Sequence, residues 1–140
     1  MKVWDLEETV EICSIPLHGL IGPLAISPDG KTVIGAARHS SGQDGAFLIV
    51  TLDTRTWIIT DPIHEDEVAG IVIDPVSQHA ISVSNDRTVK VWRLNNNQVV
   101  AVFTGEDSLT SCAVSADGLT IAVGEQSGRV HILRLELRAR

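Results

Sequence analysis

Three residues in the middle of the chain have the side-chain types of a serine hydrolase: His64, Ser82 and Asp86. In such an enzyme a carboxylate orients a histidine, which takes the proton of the serine hydroxyl that attacks a carbonyl carbon. The sequence around Ser82, AISVSND, lacks the glycine-flanked turn that presents a nucleophilic serine, and no oxyanion loop is evident. A hydrolase is therefore one hypothesis and a structural role the other, and the surrounding elements decide between them.

Other candidate chemistry is weaker. The histidines His39, His79 and His131 have no Cys, His or carboxylate at metal-ligand spacing, so solvated or hydrogen-bonded side chains are expected. The acidic stretch DPIHEDE, 61–67, lacks the regular oxygen spacing of a calcium loop, and there is neither a phosphate loop nor a dinucleotide fingerprint. We therefore expect no catalytic residue, metal or cofactor.

The composition narrows the class of protein. The chain has 140 residues, 44% of them apolar, a mean hydropathy of +0.16 and only 4% aromatic residues, which favours a globular β protein with one core. A net charge of −7 argues against nucleic acid as a partner, and the basic end with Arg134, Arg138 and Arg140 is too short to reverse this. The absence of a long apolar run and of a signal peptide predicts neither membrane insertion nor secretion. Cys13 and Cys112 are expected to be reduced, in a cytoplasmic protein.

A repeat organises the chain. Three turns align, AISPDGKT (25–32), VIDPVSQH (72–79) and AVSADGLT (113–120), each between two strands of alternating or apolar pattern. A third strand follows each pair, and its equivalent end positions are Trp4, Val50, Trp92 and Leu133, at intervals of 46, 42 and 41 residues. This is the period of a four-stranded antiparallel unit.

A fourth strand precedes each of these turns, in 10–18, 56–64 and 98–105. With the strands named a to d, the chain reads as the end of c, followed by three copies of d, a, b and c. The repeats cover 9–53, 56–94 and 98–137 of a single domain, 1–140, with no helical period. Strict alternation in 9–17 predicts that Val10, Ile12, Ser14 and Pro16 share one face, and that Cys13, Ile15 and Leu17 share the other.

The stretches VWDL (3–6), SPDG (27–30) and DRTVKVW (86–92) resemble the WD-repeat family of β-propellers, and the resemblance covers nearly the whole chain. It implies an all-β propeller of four-stranded antiparallel blades, three of them in this chain. It also implies that His64, Ser82, Asp86 and Trp92, here called the tetrad, form a buried hydrogen-bonded chain. A buried donor that lost its partner would cost about 1–3 kcal/mol, so the resemblance favours structure over catalysis.

The other two repeats have lost these residues. The first keeps His18 but has Gly35 and Val50 at the serine and tryptophan positions, and the insertion RHSSGQD, 38–44, lengthens its b–c turn. The last has Gly105 near the histidine position, with Val123, Ser127 and Leu133 at the others. We expect apolar packing in place of the tetrad in both.

The family likeness implies a non-catalytic scaffold whose partner is a protein or peptide. The residues at the family's top-face positions form the candidate partner face: Leu20, Gly22, Gln43, Glu67, Ala69, Asn85, Ser108, Thr110 and Gln126. The closing GEQSGRVHILRLE further resembles the last propeller repeats of large bacterial signal-transduction ATPases, so the C-terminal segment of such a sensor is the alternative.

Three blades are fewer than the four to eight of known rings. The strand 9–17 lacks strands a to c of its own, whereas the last a–b–c set lacks a strand d. We therefore expect 9–17 to complete the last blade of a second chain, in a six-bladed dimer; a nine-bladed trimer is outside the usual range, and missing blades upstream are the alternative.

Overall fold

The computed structural model describes residues 1–15, 20–38 and 44–136. Within these ranges the chain forms thirteen β-strands and no helix. The strands are β1 (Lys2–Asp5), β2 (Val10–Ser14), β3 (Leu20–Ile26), β4 (Thr32–Arg38), β5 (Ala46–Thr51), β6 (Thr56–Ile59), β7 (Val68–Ile73), β8 (His79–Ser84), β9 (Thr88–Arg93), β10 (Val99–Thr104), β11 (Leu109–Val114), β12 (Thr120–Glu125) and β13 (Val130–Arg134).

The strands form a two-stranded pair, β1–β2, and three antiparallel sheets in chain order. The first sheet is β3–β4–β5–β6 and the second is β7–β8–β9–β10, whereas the third, β11–β12–β13, has three strands within the described ranges. The first two sheets follow the order a, b, c, d and the third the order a, b, c. The d strand of a sequence repeat therefore belongs to the sheet before its a, b and c strands. The prediction of an all-β propeller architecture is confirmed.

The second sheet lies between the other two, and its strand β8 shows why the sequence pattern varies. Five of its six residues are buried, because both faces are covered by neighbouring sheets. The outer strand β6 is exposed at all four positions. Two apolar clusters hold the sheets together: one joins the first and second sheets through residues that include Ile34, Phe47, Ile71 and Trp92, and the other joins the second and third through Ile81, Val89, Leu109 and Ile121.

The turns between strands c and d share one backbone conformation. Thr9, Arg55 and Asn97 occupy equivalent positions in the three turns, with φ values of 55°, 56° and 61°. The left-handed region is unfavourable for side chains other than Asn, Asp and Gly, and most of all for a β-branched residue such as Thr9. Three copies of one turn, with three different residues, show that strand pairing and not local preference imposes it.

Each innermost strand is interrupted by a bulge near its start. Ala69 in β7 and Thr110 in β11 have no partner in the ladder to the neighbouring strand, and in β3 the two residues Gly22 and Pro23 face one residue of β4. Bulges bend a strand and redirect its side chains, and they are frequent beside functional sites. The three sheets therefore present similar irregular edges at the same end.

Candidate functional site

The tetrad residues come from four successive elements. His64 lies in the loop between β6 and β7, Ser82 in β8, Asp86 in the turn after it, and Trp92 in β9. His64 Nδ1 is 2.9 Å from Asp86 Oδ2, and His64 Nε2 is 2.7 Å from Ser82 Oγ. Trp92 Nε1 donates to Ser82 Oγ over 3.2 Å. The structure thus brings the four predicted residues into one continuous hydrogen-bonded chain.

The partners define the direction of each hydrogen bond. A carboxylate only accepts, so His64 Nδ1 carries the proton toward Asp86 and Nε2 accepts from the Ser82 hydroxyl. Thr88 reinforces the acidic end, because its hydroxyl donates to Asp86 Oδ1 over 2.5 Å and its backbone N–H donates to the same oxygen over 2.8 Å. The backbone N–H of Glu65 donates to Asp86 Oδ2 over 3.1 Å. Every donor in this chain has an acceptor.

The charges follow from burial and hydrogen bonding. Burial, together with the charge of Lys90, lowers the pKa of His64 more than the hydrogen bond and charge of Asp86 raise it, so the imidazole is neutral. Burial raises the pKa of Asp86, but hydrogen bonds from Thr88, Glu65 and His64 outweigh it and leave the pKa below its usual value. A neutral histidine beside an ionised carboxylate is the state that the hydrogen-bond directions require.

The serine of the tetrad has no access to a substrate. Ser82 and Trp92 are fully buried, and His64 is 2% exposed. The ring of Phe47, from the first sheet, lies 4.9 Å from that of Trp92 and 6.3 Å from that of His64. The set has the hydrogen bonds of a hydrolase triad, but the place where a substrate carbonyl would approach is filled by protein.

Gly45 of the first sheet seats the loop that carries His64. Its carbonyl accepts the N–H groups of Ile63 and His64 at 2.8 and 3.2 Å. Its φ is +91°, and a Cβ there would lie 1.9 Å from the backbone oxygen of His64. Lys90 Nζ donates to the carbonyl of Ile63 over 2.7 Å. The tetrad therefore joins the first sheet to the second, and the only sequence signal for Gly45 is its position just before a buried strand.

The third sheet contains a polar substitute for the tetrad, and the prediction of purely apolar packing there is wrong. Glu125, at the end of β12, is 5% exposed. Its Oε1 accepts the N–H groups of Glu106 and Asp107 at 2.7 and 3.1 Å. A Cβ on Gly105 would lie 2.6 Å from the same oxygen, so the missing side chain at the histidine position is what admits the carboxylate.

The environment of Glu125 keeps it ionised. Its desolvation raises the pKa, but hydrogen bonds from the N–H groups of Asp107 and Glu106, together with the side chains of His131 and Ser127, outweigh this and lower the pKa below its usual value. Ser127 Oγ donates to Glu125 Oε2 over 3.2 Å. His131 Nε2 lies 3.2 Å from Oε2, near enough for an ion pair when protonated although not aligned for a hydrogen bond. This carboxylate ties the β10–β11 loop to the end of β12.

In the first sheet, apolar side chains fill the space at the serine position. A Cβ on Gly35 would lie 2.7 Å from Ile21 Cγ2 and 2.8 Å from Leu24 Cδ2. Val50, at the tryptophan position, is fully buried. His18 and most of the insertion 38–44 lie outside the described residues.

The candidate partner face follows the starts of strands β3, β7 and β11. Three of its members, Gly22, Ala69 and Thr110, are the bulge residues of these strands. The N–H groups of Asn85 and Gln126 donate to the carbonyls of Glu67 and Ser108, both over 2.9 Å, and Ser108 Oγ reaches the carbonyl of Asn85 over 3.3 Å. The side chain of Leu20 and all of Gln43 lie outside the described residues.

No metal centre is formed by the described residues, since no three His, Cys, Asp or Glu side chains converge there. His79 Nδ1 is 2.7 Å from Ser77 Oγ. Cys13 and Cys112 are both free, and burial raises the pKa of the Cys112 thiol to about 11. Over the same part of the chain, no helix has the length and apolar character needed to cross a membrane.

Known proteins are similar to this chain in sequence. Residues 55–93 match the family WD domain, G-beta repeat. The chain is 28% identical over 116 residues to DDB1- and CUL4-associated factor 13 of Dictyostelium discoideum, which covers 73% of this chain and 26% of that protein. It is 29% identical over 138 residues to WD repeat-containing protein 90 of Homo sapiens, and this alignment covers 97% of this chain and 8% of that protein. It is 27% identical over 124 residues to a seven-bladed beta-propeller protein of Mycobacterium tuberculosis, and this alignment covers 85% of this chain and 30% of that protein. The chain thus spans less than a third of each relative.

Proposed function

Because this chain carries WD repeats and forms a segment of a β-propeller, we propose that it is a non-catalytic scaffold in the cytoplasm that binds a protein or peptide. The observation that carries the proposal is that the tetrad is buried and its hydrogen bonds are made within the protein. Its serine already exchanges hydrogen bonds with His64 and Trp92, and it is fully buried. The residues that resemble a hydrolase are thereby committed to the join between two sheets.

The partner face is proposed as the binding surface. Its bulges leave backbone groups outside the regular ladders, where a peptide can reach them. The loops beside it are acidic, with Asp66, Glu67, Glu106 and Asp107 close in sequence to face residues. This charge favours a partner segment that carries Lys or Arg, since complementary charge steers association and selects among partners.

The variant Ser82→Ala separates the scaffold from the serine hydrolase. A scaffold loses stability, because His64 and Trp92 each lose a partner, and it has no ester hydrolysis to lose. Urea unfolding and an assay with an activated ester measure the two effects on the same preparation. Normal stability together with abolished hydrolysis would establish the enzyme instead.

The binding surface is tested with a displayed library of short peptides. We expect enrichment of peptides with Lys or Arg, and loss of their binding in Asn85→Arg and Gln126→Arg. The matched control is Ala116→Arg, which adds the same charge at an exposed position in the β11–β12 turn, at the opposite end of the third sheet. Equal loss in all three variants would mean that binding depends on net charge and not on this face.

We further propose that two copies close into a six-bladed ring. Among the described residues, the third sheet has a sheet neighbour on one face only, and the outer face of the first sheet carries only the β1–β2 pair. A second copy would supply the missing neighbours. Sedimentation velocity over a range of concentrations tests this. A folded chain that stays monomeric at micromolar concentration and above would exclude the ring.

A further inference from the structure

The β1–β2 pair reproduces the β9–β10 pair. Trp4 is paired with Glu11, as Trp92 is paired with Val99. In both pairs one residue of the outer strand, Ile12 or its counterpart, is then skipped before pairing resumes. Since β9 is the c strand and β10 the d strand of the second sheet, β1 holds the place of a c strand beside β2.

Burial shows that β1 fits this place poorly. Trp92 is fully buried in the second sheet, whereas Trp4 at the equivalent position is 50% exposed. The ion pair between Lys2 and Glu11, at 3.1 Å, joins side chains 60% and 33% exposed and adds little stability. Within the described ranges β1 pairs with no strand other than β2. The pair is therefore a short two-stranded element of the kind that is marginal alone.

Within the described residues the third sheet has the opposite deficit, a c strand with one free edge. The carbonyl of Arg129 accepts from Glu125 in the turn at the start of β13, and the N–H of Leu135 donates to Leu119 beyond its end, both toward the β12 side. Backbone groups alternate in direction along an antiparallel strand, so those of Val130 and Ile132 point to the free edge.

The same alternation governs β1. Met1 and Ile15 exchange hydrogen bonds of 2.6 and 2.7 Å through their backbone groups, so the groups of Val3 also point toward β2. Trp4 and Leu133 are equivalent in the repeat, which aligns Val3 with Ile132. The free backbone groups of β13 therefore lie at the same repeat positions as the backbone groups with which β1 pairs with β2.

The side-chain faces are complementary as well. On the open face of the third sheet, Val130 and Ile132 are 69% and 67% exposed. On the outer face of the first sheet, Leu24 and Ile26 are 62% and 58% exposed. Ile15 packs on this sheet against Leu48 and Val50. If β13 of a second copy paired with β2, these two apolar faces would pack against each other and be removed from contact with water.

A groove marks the place of the absent strand. A cavity of about 230 Å³ adjoins β13 and is lined by apolar side chains of β9, β10, β12 and β13. Its lining includes Val89, Val91, Val102, Phe103, Ile121 and Leu133. A fourth strand beside β13 would lie along it, and β2 has the five-residue length of β13.

We infer that β1 and the β13 of a second copy compete for the same edge of β2, so that self-association proceeds by strand exchange. In the single chain β1 occupies that edge. In the dimer β13 of the partner displaces it, and Ile132 takes the place of Val3. This inference rests on the proposed ring closure by two copies. It adds that β1 must leave the edge of β2 before the dimer forms, and that β1 covers this edge in the single chain.

A disulfide trap tests the pairing. Ile132→Cys places a thiol opposite Cys13 of the second copy, in a pair whose Cα atoms would be about 5.5 Å apart, a separation that a disulfide spans. Mild oxidation should give a covalent dimer, with the bond between Cys13 and the introduced thiol identified by peptide mass spectrometry. The matched control combines Ile132→Cys with Cys13→Ser and should stay unlinked. A dimer linked only through Cys112 would overturn the inferred pairing.

Two proline variants test the competition. Val3→Pro removes an N–H from β1, whereas Ile132→Pro removes one from the free edge of β13 and leaves its ladder to β12 intact. Sedimentation should show dimerisation roughly tenfold tighter for Val3→Pro, as expected when a competing strand loses about one backbone hydrogen bond. Ile132→Pro should weaken it by a similar factor, whereas Ile132→Thr, which keeps the N–H, should weaken it less.

The outcomes separate the two proposals. If the unaltered chain and Val3→Pro both remain folded monomers, judged by circular dichroism and sedimentation, ring closure by two copies is excluded and the exchange with it. If the unaltered chain dimerises but Val3→Pro leaves the dissociation constant unchanged, the ring stands and the exchange is overturned. Tighter dimerisation of Val3→Pro together with the Cys13 cross-link supports both.

Discussion

The variant Trp92→Phe tests whether the tetrad stabilises the fold. It keeps an aromatic ring against Phe47 but removes the indole N–H that donates to Ser82 Oγ over 3.2 Å. Ser82 keeps its bond to His64 and loses its only donor among the described residues. Because Trp92 is fully buried, water cannot take the place of the missing group.

Two terms set the magnitude. Leaving a buried acceptor without its donor costs about 1–3 kcal/mol. The smaller ring leaves a void that adds about 1 kcal/mol, by the usual cost of trimming a buried side chain. The sum is about 2–4 kcal/mol in the free energy of unfolding. Since the entropy of unfolding grows with chain length, this corresponds to a loss of roughly 7–14 °C in Tm for a domain of this size.

Urea unfolding followed by circular dichroism measures the loss, and Trp57→Phe is its matched control. Trp57, in β6, is 41% exposed, so Trp57→Phe makes the same chemical change without removing a buried hydrogen-bond donor. A double-mutant cycle with Ser82→Ala isolates the hydrogen bond, because Trp92→Phe should cost less when Ser82 Oγ is absent. The stabilising role is refuted if Trp92→Phe costs no more than Trp57→Phe, or if the cycle shows no coupling.

Four further variants probe the charges and the turns. Burial holds the pKa of His64 below 6.5, so the unfolded chain binds a proton first and stability falls as the pH drops below 6.5, by at most about 1.4 kcal/mol per pH unit. Urea titrations at about pH 7 and about pH 5.5 should show a shallower dependence in His64→Gln. Glu125→Gln should lower Tm at neutral pH, and its deficit should shrink in acid, because the lowered pKa of Glu125 gives stability that is lost as the pH falls below 4.5. Gly30 and Gly118 both have a φ of +72°, but only at Gly118 would a Cβ meet Asp74, at 2.1 Å from Oδ1. Gly30→Ala should therefore cost about 1–2 kcal/mol from strain alone, and Gly118→Ala about 1–3 kcal/mol more from the clash, as chemical denaturation will show.

The sequence was sufficient to predict the strands and the tetrad, because both are encoded locally. Alternating residues and polar turns repeat along the chain, and the four tetrad residues lie at the family's spacing within the middle repeat. The sheet order follows from the same repeat, since each strand pairs with its neighbour in the chain. These features require no knowledge of contacts between distant residues.

Glu125 was missed because its role depends on a residue that lacks a side chain. Gly105 removes the histidine, and Glu125, 20 positions later, moves into the space. Neither residue alone deviates from an ordinary turn pattern. A buried carboxylate bound to two backbone N–H groups becomes visible only when the β10–β11 loop and the end of β12 are brought together in space.

The facing of the described residues of β2 was also predicted incorrectly, whereas Pro16 and Leu17 lie outside the described residues. Alternation places Val10, Ile12 and Ser14 on one face, but Ile12 is skipped in the ladder to β1, so Val10 and Ser14 lie on opposite faces. A bulge changes the side-chain parity of every residue beyond it. Its position is set by pairing with a c strand, which the local sequence of β2 does not contain.

The offset between repeat and sheet has a consequence for how such a chain can lengthen in evolution. The unit matched by the family, 55–93, contributes its first strand, β6, to one sheet and its other three, β7 to β9, to the next. A tandem duplication of this unit would complete one sheet and begin another, and it would leave the edges of β2 and β13 unchanged. The number of repeats and the chemistry of the two ends can therefore vary independently. A gene can gain or lose repeats without any change in the sequences of its two terminal strands.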